Sequence, residues 1–124
     1  MMSRSKKTSG AELFARGEST SLETYEKLVA AMKPVGPIKI EVKKTCVHLC
    51  GANSAFAGVH PRKAGVLLTI RSAKPIRSRR IRKSEAVSAN RAHNDMLLGG
   101  PEEVDDEVLD WLVEGLALSG GPAR

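Results

Sequence analysis

At 124 residues the chain has the size of one domain, able to close a hydrophobic core without disulfides or metal. A hydrophobic content of 41% with 27% charged residues suits a globular chain, and no window holds the about 18 apolar residues that a membrane span needs. The formal charge of +6 is unevenly spread: residues 71–100 carry eight basic and two acidic side chains, and residues 101–124 carry one and seven. That contrast points to an anionic partner, or to two segments that attract one another in the fold.

Taken in chain order, MMSRSKKTSG lacks an apolar stretch after its basic start and does not read as a secretory signal, so a cytoplasmic location is expected. Residues 1–19 are polar, small and basic apart from AELFA, which predicts a flexible or loosely docked basic arm containing one helical turn. A single α+β domain is expected over residues 20–119, with residues 120–124 a flexible tail. In TSLETYEKLVAAMKP, Thr20 and Glu23 have the spacing of a capping box, and Leu22, Tyr25, Leu28, Val29 and Met32 recur at helical spacing. Pro34, Gly36 and Pro37 end that helix.

Four strand-like runs follow. IKIEV alternates Ile38, Ile40 and Val42 against Lys39 and Glu41, the pattern of a half-buried strand with a wet outer face. TCVHLC, SAFAGVH and GVLLTIRS continue the series, with Pro61 and Gly65 bracketing a hairpin turn between the last two. From Ala73 to Ala92 the periodicity fails and a long polar connection is expected. AHNDMLLGGP reads as one more short strand closed by Gly99, Gly100 and Pro101. The last element, EVDDEVLDWLVEGLALSGG, has acids in its first turn and Val108, Leu109, Leu112 and Leu116 on one face, with Gly120 and Gly121 as its stop. The economical arrangement is an α+β two-layer sandwich: an antiparallel four- to five-stranded sheet with an N-terminal and a C-terminal helix on one face.

The runs KKTCVHLCGANSAFAGVHPRKAGVLLTIR and SANRAHNDMLLGGPEEVDDEVLDWLVEGLALS carry a likeness to known families. Over about residues 22–118 the chain resembles an uncharacterised bacterial family of domains of unknown function, some of whose members are labelled predicted transport proteins. The likeness rests on Phe56, Ala57, Val59 and Pro61, on Ser88, Arg91 and His93, and on Asp105, Leu109 and Trp111. The order of elements is also similar to the MmcQ/YjbR-like double-wing domains, for which DNA binding has been proposed; Leu116 stands where those domains often carry an aromatic residue. Neither likeness implies an established activity.

Two candidate sites emerge. Arg77, Arg79, Arg80, Arg82 and Lys83 place five cations in seven residues, and Arg62, Lys63 and Arg91 could join them in gripping nucleic acid or another polyanion. Docked on the acidic last helix, the same groups would instead make exposed ion pairs worth little each. The second candidate is a pocket for a small anion formed by His60, Arg91 and His93, of which Arg91 and His93 share a strand face. Asp95 is the only acid near enough to pair with them for acid/base work, so anchoring of the polar connection or anion binding is favoured over catalysis. Cys46, His48 and Cys50 fall on one side of a strand, but successive same-face residues about 7 Å apart do not converge on one metal ion. No metal or cofactor is expected, and the two thiols read as buried and reduced. The sequence thus predicts a non-enzymatic binding module with nucleic acid or another polyanion as partner. A small-anion or metabolite pocket is the alternative, and a protein-interaction domain pairing through exposed sheet edges, a homo-oligomer included, is the third reading.

Overall fold

The computed structural model describes residues 9–123. A short helix α1 (Ala11–Phe14) leads into α2 (Ser19–Met32). Six strands follow: β1 (Lys39–Val42), β2 (Val47–Cys50), β3 (Ala55–Pro61), β4 (Val66–Ser72), β5 (Lys83–Ser88) and β6 (Arg91–Leu98). A 3-10 turn (Pro101–Glu103) then precedes α3 (Asp106–Leu118). All strand pairs are antiparallel in one sheet of order β1-β2-β3-β4-β6-β5, so β5 is an outer edge and β6 inserts beside β4.

The alternation of β4 sets the two faces. Val66, Leu68 and Ile70 are buried toward the helices, with Ala57 and Val59 of β3 and Met96 and Leu98 of β6 on the same side. Leu67, Thr69 and Arg71 point the other way. Val108, Leu112 and Leu116 of α3 and Tyr25, Leu28 and Met32 of α2 close the core over the inner face. Gly115 lets α3 approach closely, since a Cβ there would stand 2.9 Å from the Arg71 carbonyl oxygen and 3.3 Å from that of Phe56. The α+β sandwich expected from the sequence is therefore observed, with six strands rather than four or five. The strand left out is β5: every one of its residues is exposed, so it has no buried face to impose alternation on KSEAVS.

The helical turn expected in the arm over residues 1–19 is α1, and it packs on the domain. Phe14 is fully buried and stacked on Tyr25 with ring centroids 4.2 Å apart, and the Tyr25 hydroxyl donates to the Ser9 carbonyl. Residues 1–8 of that arm lie outside the described residues. In the tail expected over residues 120–124, the Ala52 N–H donates to the Gly121 carbonyl at 2.9 Å and the Ala123 N–H to that of Pro37 at 2.8 Å, while residue 124 lies outside the described residues. The capping box is absent, because α2 starts one residue early at Ser19 with Glu18 as N-cap, and the Thr20 hydroxyl finds no partner among the described residues.

Among the described residues no helix is long and apolar enough to cross a membrane.

Candidate functional site

The wet face of the sheet carries the only concentration of ionisable side chains that several strands build together among the described residues. Register fixes it. Gly58 of β3 lies between His48 of β2 and Thr69 of β4, and Thr69 pairs with Asp95 of β6. Two residue pairs along the ladder, and so on the same face, Arg71 stands opposite His93. Since residues two apart share a face, Arg91 and His60 fall on this side too. The result is a depression of about 250 Å³ lined by His48, His60, Thr69, Arg71, Arg91 and His93 together with Ala55, Phe56, Ala57 and Gly58 of β3.

Gly58 keeps the floor low. A Cβ at that position would sit 3.6 Å from His60 Nε2 and 3.8 Å from His48 Cδ2, so any side chain would fill the space between the two imidazoles. Arg71 is held in place by its Nη1, which donates to Ser54 Oγ at 2.8 Å and Ser119 Oγ at 3.2 Å. Its buried Nε has no partner among the described residues. Burial, and then the neighbouring Arg91, push Arg71 below its usual range, yet a guanidinium remains charged at neutral pH. Arg91 Nε donates to His93 Nε2 at 3.3 Å, which requires that nitrogen to be unprotonated. Burial lowers His60 from the ordinary imidazole value, and Arg62 and His48 add to the effect against the pull of Asp95.

Carboxylates stay at the margin. Asp95 accepts from Thr69 Oγ1 at 2.7 Å. Glu41, across from His48, is engaged by Lys43 at 3.4 Å and Lys39 at 3.6 Å, and its carboxyl is held below the usual range chiefly by Lys43. Glu85 lies across from His93 on β5. None of them lines the depression.

The structure thus brings His60, Arg91 and His93 to one depression and adds His48, Thr69 and Arg71, which the sequence reading left out of that pocket. The period-2 alternation of GVLLTIRS already put Thr69 and Arg71 on the wet face, but nothing local says that β6 rather than β5 lies beside them.

The basic stretch is dispersed instead. The connection after β4 runs on the helix side of the sheet, where the Ile76 N–H donates to the buried Asn94 side chain at 2.9 Å. Arg80 folds onto the start of α3: its Nη1 lies 3.0 Å from each Asp105 carboxylate oxygen and 3.1 Å from Glu107 Oε1, and its Nη2 donates to the Glu103 carbonyl at 2.9 Å. Asp105 is also the N-cap of α3, accepting from the Val108 N–H at 3.1 Å, and its carboxyl is depressed by Arg80 first and that cap second. Arg77, Arg79, Arg82 and Lys83 are exposed and make no ion pair among the described residues. Arg62 and Lys63 belong to a different connection, the β3–β4 turn against Gly17 and Glu18. Cys46 and Cys50 are free, buried thiols, and burial above all raises Cys50.

Comparison with known proteins adds a family. The family model for a domain of unknown function, DUF5655, matches residues 11–119, and the chain belongs to that family. The match carries neither a transport role nor a double-wing assignment. No curated protein and no solved structure matches the chain.

Proposed function

We propose that this DUF5655 domain is a binding module for a small oxyanion, taken on the open sheet face by Arg71 and Arg91 with His48, His60 and His93 around them. The observation that carries the reading is the composition of the depression: five nitrogen-bearing side chains from β2, β3, β4 and β6 line it, and no carboxylate does. Like charges gathered in a half-buried hollow repel one another unless an anion joins them, so the ligand relieves a cost already present in the fold. Binding without chemistry is preferred because Asp95, the nearest acid, already accepts the Thr69 hydroxyl. The free thiols suit a reducing, cytoplasmic setting.

Thermal unfolding in the presence of millimolar phosphate, sulfate, citrate and phosphorylated metabolites tests the reading. A ligand at a hundred times its Kd stabilises by about 2.7 kcal/mol, which such a scan resolves. Arg91→Ala should abolish the stabilisation while leaving the unliganded midpoint nearly in place. Silence across the panel, or a shift indifferent to Arg91→Ala, would refute it.

A second reading keeps nucleic acid or another polyanion as partner, through Arg77, Arg79, Arg82 and Lys83. Its support is that these four remain exposed and unpaired among the described residues. Titration of duplex DNA should then weaken with salt at a logarithmic slope of about −0.9 per phosphate contacted, and absence of binding at low salt would end it.

A further inference from the structure

The hollow has a chemical preference beyond negative charge, and this argument rests on the oxyanion reading above. We propose that the ligand is a dianionic phosphate monoester, and that His60 takes up a proton as it binds.

Four features lead there. Arg71 and Arg91 flank His93, one across the ladder and one two residues along the strand, so two permanent guanidinium charges face a common space. A carboxylate offers two oxygens and one charge to that pair, whereas a phosphate monoester offers three terminal oxygens and two charges, enough for both guanidiniums and an imidazole. Arg71 is held by Ser54 and Ser119 before any ligand arrives, which spares the ordering cost of one long side chain. Ala55, Phe56 and Ala57 also line the depression, and an organic group can lie beside them; at about 250 Å³ it falls just below the roughly 300–1,000 Å³ of drug-sized sites and suits a compact ester.

The proton follows from what faces His60. On β2 there is His48, just past the end of its own strand Arg62, on β4 Thr69 and Arg71, and on β6 Asp95, Arg91 and His93; Glu41 and Glu85 stand one strand further out on either side. The cations and burial outweigh Asp95 and favour the neutral imidazole. Two negative charges placed in the hollow reverse that balance.

Isothermal titration of the full chain with phenyl phosphate, inorganic phosphate and benzoate, at pH about 7.5 where a phosphate ester is mostly dianionic, tests the proposal. Each titration is run in two buffers of different ionisation heat. Phenyl phosphate should bind about tenfold or more tighter than either other probe, a margin worth about 1.4 kcal/mol. Its apparent enthalpy should differ between the buffers by the heat of close to one proton, and His60→Gln should remove that difference while retaining weaker binding. Phenyl phosphate bound without proton uptake overturns the role of His60, and benzoate or inorganic phosphate bound as tightly overturns the monoester assignment. Both results leave the oxyanion reading standing, whereas failure of all three probes to bind sinks that reading with it.

Discussion

Arg80 offers the sharpest test of how the charge asymmetry is used. It touches two carboxylates and a backbone carbonyl at the start of α3, with its side chain 28% exposed against 49% for Asp105 and 53% for Glu107. Because the partners are half in water, the full low-dielectric attraction does not apply, and each contact is worth no more than an exposed ion pair, about 0.5 kcal/mol. Adding the charge-assisted bond to the Glu103 carbonyl brings the loss for Arg80→Ala to about 1–2 kcal/mol. For a domain of this size that lowers the melting temperature by roughly 3–8 °C. The assay is a double-mutant cycle with Asp105→Asn, a substitution that removes the charge but retains an N-cap acceptor. Urea unfolding should give a coupling of about 0.5–1 kcal/mol, and molar salt should reduce it by half or more as the screening length contracts to about 3 Å. The sign with pH follows from the depressed Asp105 carboxyl. Its contribution is complete above the unfolded value and is lost as pH falls through the lower folded one, so wild type should forfeit its advantage over Asp105→Asn in acid. A coupling below about 0.3 kcal/mol, or one untouched by salt and acid, would show that Arg80 does not hold the helix and would return it to the pool of free cations.

The remaining predictions concern the N-terminal segment. Phe14→Ala removes a fully buried ring stacked on Tyr25 and should cost about 3–5 kcal/mol in chemical denaturation, a large share of a domain's total; a loss under about 1 kcal/mol would mean that residues 9–18 are not part of the cooperative unit. Tyr25 is the only tyrosine, and burial pushes its phenol up to about 12, so absorbance near 295 nm should titrate there in the folded protein. Folded Tyr25 holds its proton more tightly than the unfolded chain does, so its share of stability is intact below about pH 10 and lost as pH rises through about 12. A folded-state midpoint near 10 would contradict the burial.

What could be read from the sequence follows a physical line. Strands with one dry face declare themselves: Val66, Leu68 and Ile70 alternate with Leu67, Thr69 and Arg71, and the pattern names both faces at once. β5 has two wet faces and therefore no pattern, which is why KSEAVS passes for a loop. Phe14 was visible as an apolar residue in a polar segment, but a ring with no periodic neighbours does not say whether it has a core to enter. Charge asymmetry left two readings open, an anionic partner or attraction between the basic connection and the acidic helix, and did not say which arginine crosses. The sheet order supplies that kind of information, and β5 yielding its place beside β4 to β6 is a non-sequential pairing that local propensity does not encode.

The candidate site depends on that same pairing, which explains why only half of it was legible. Arg91 and His93 share a strand, so their common face is a matter of counting. Arg71 joins them because β6 lies against β4, and it is held there by Ser119, the residue that ends α3, and by Ser54 at the entrance to β3. The same stretch of β4 lies against Gly115 of α3 through the Arg71 carbonyl. The backbone of Arg71 thus belongs to the packed core and its side chain to the wet face. Core packing in this domain fixes the position of a charge on the side turned away from the core, and the anion proposed for this hollow would meet a guanidinium that is already ordered.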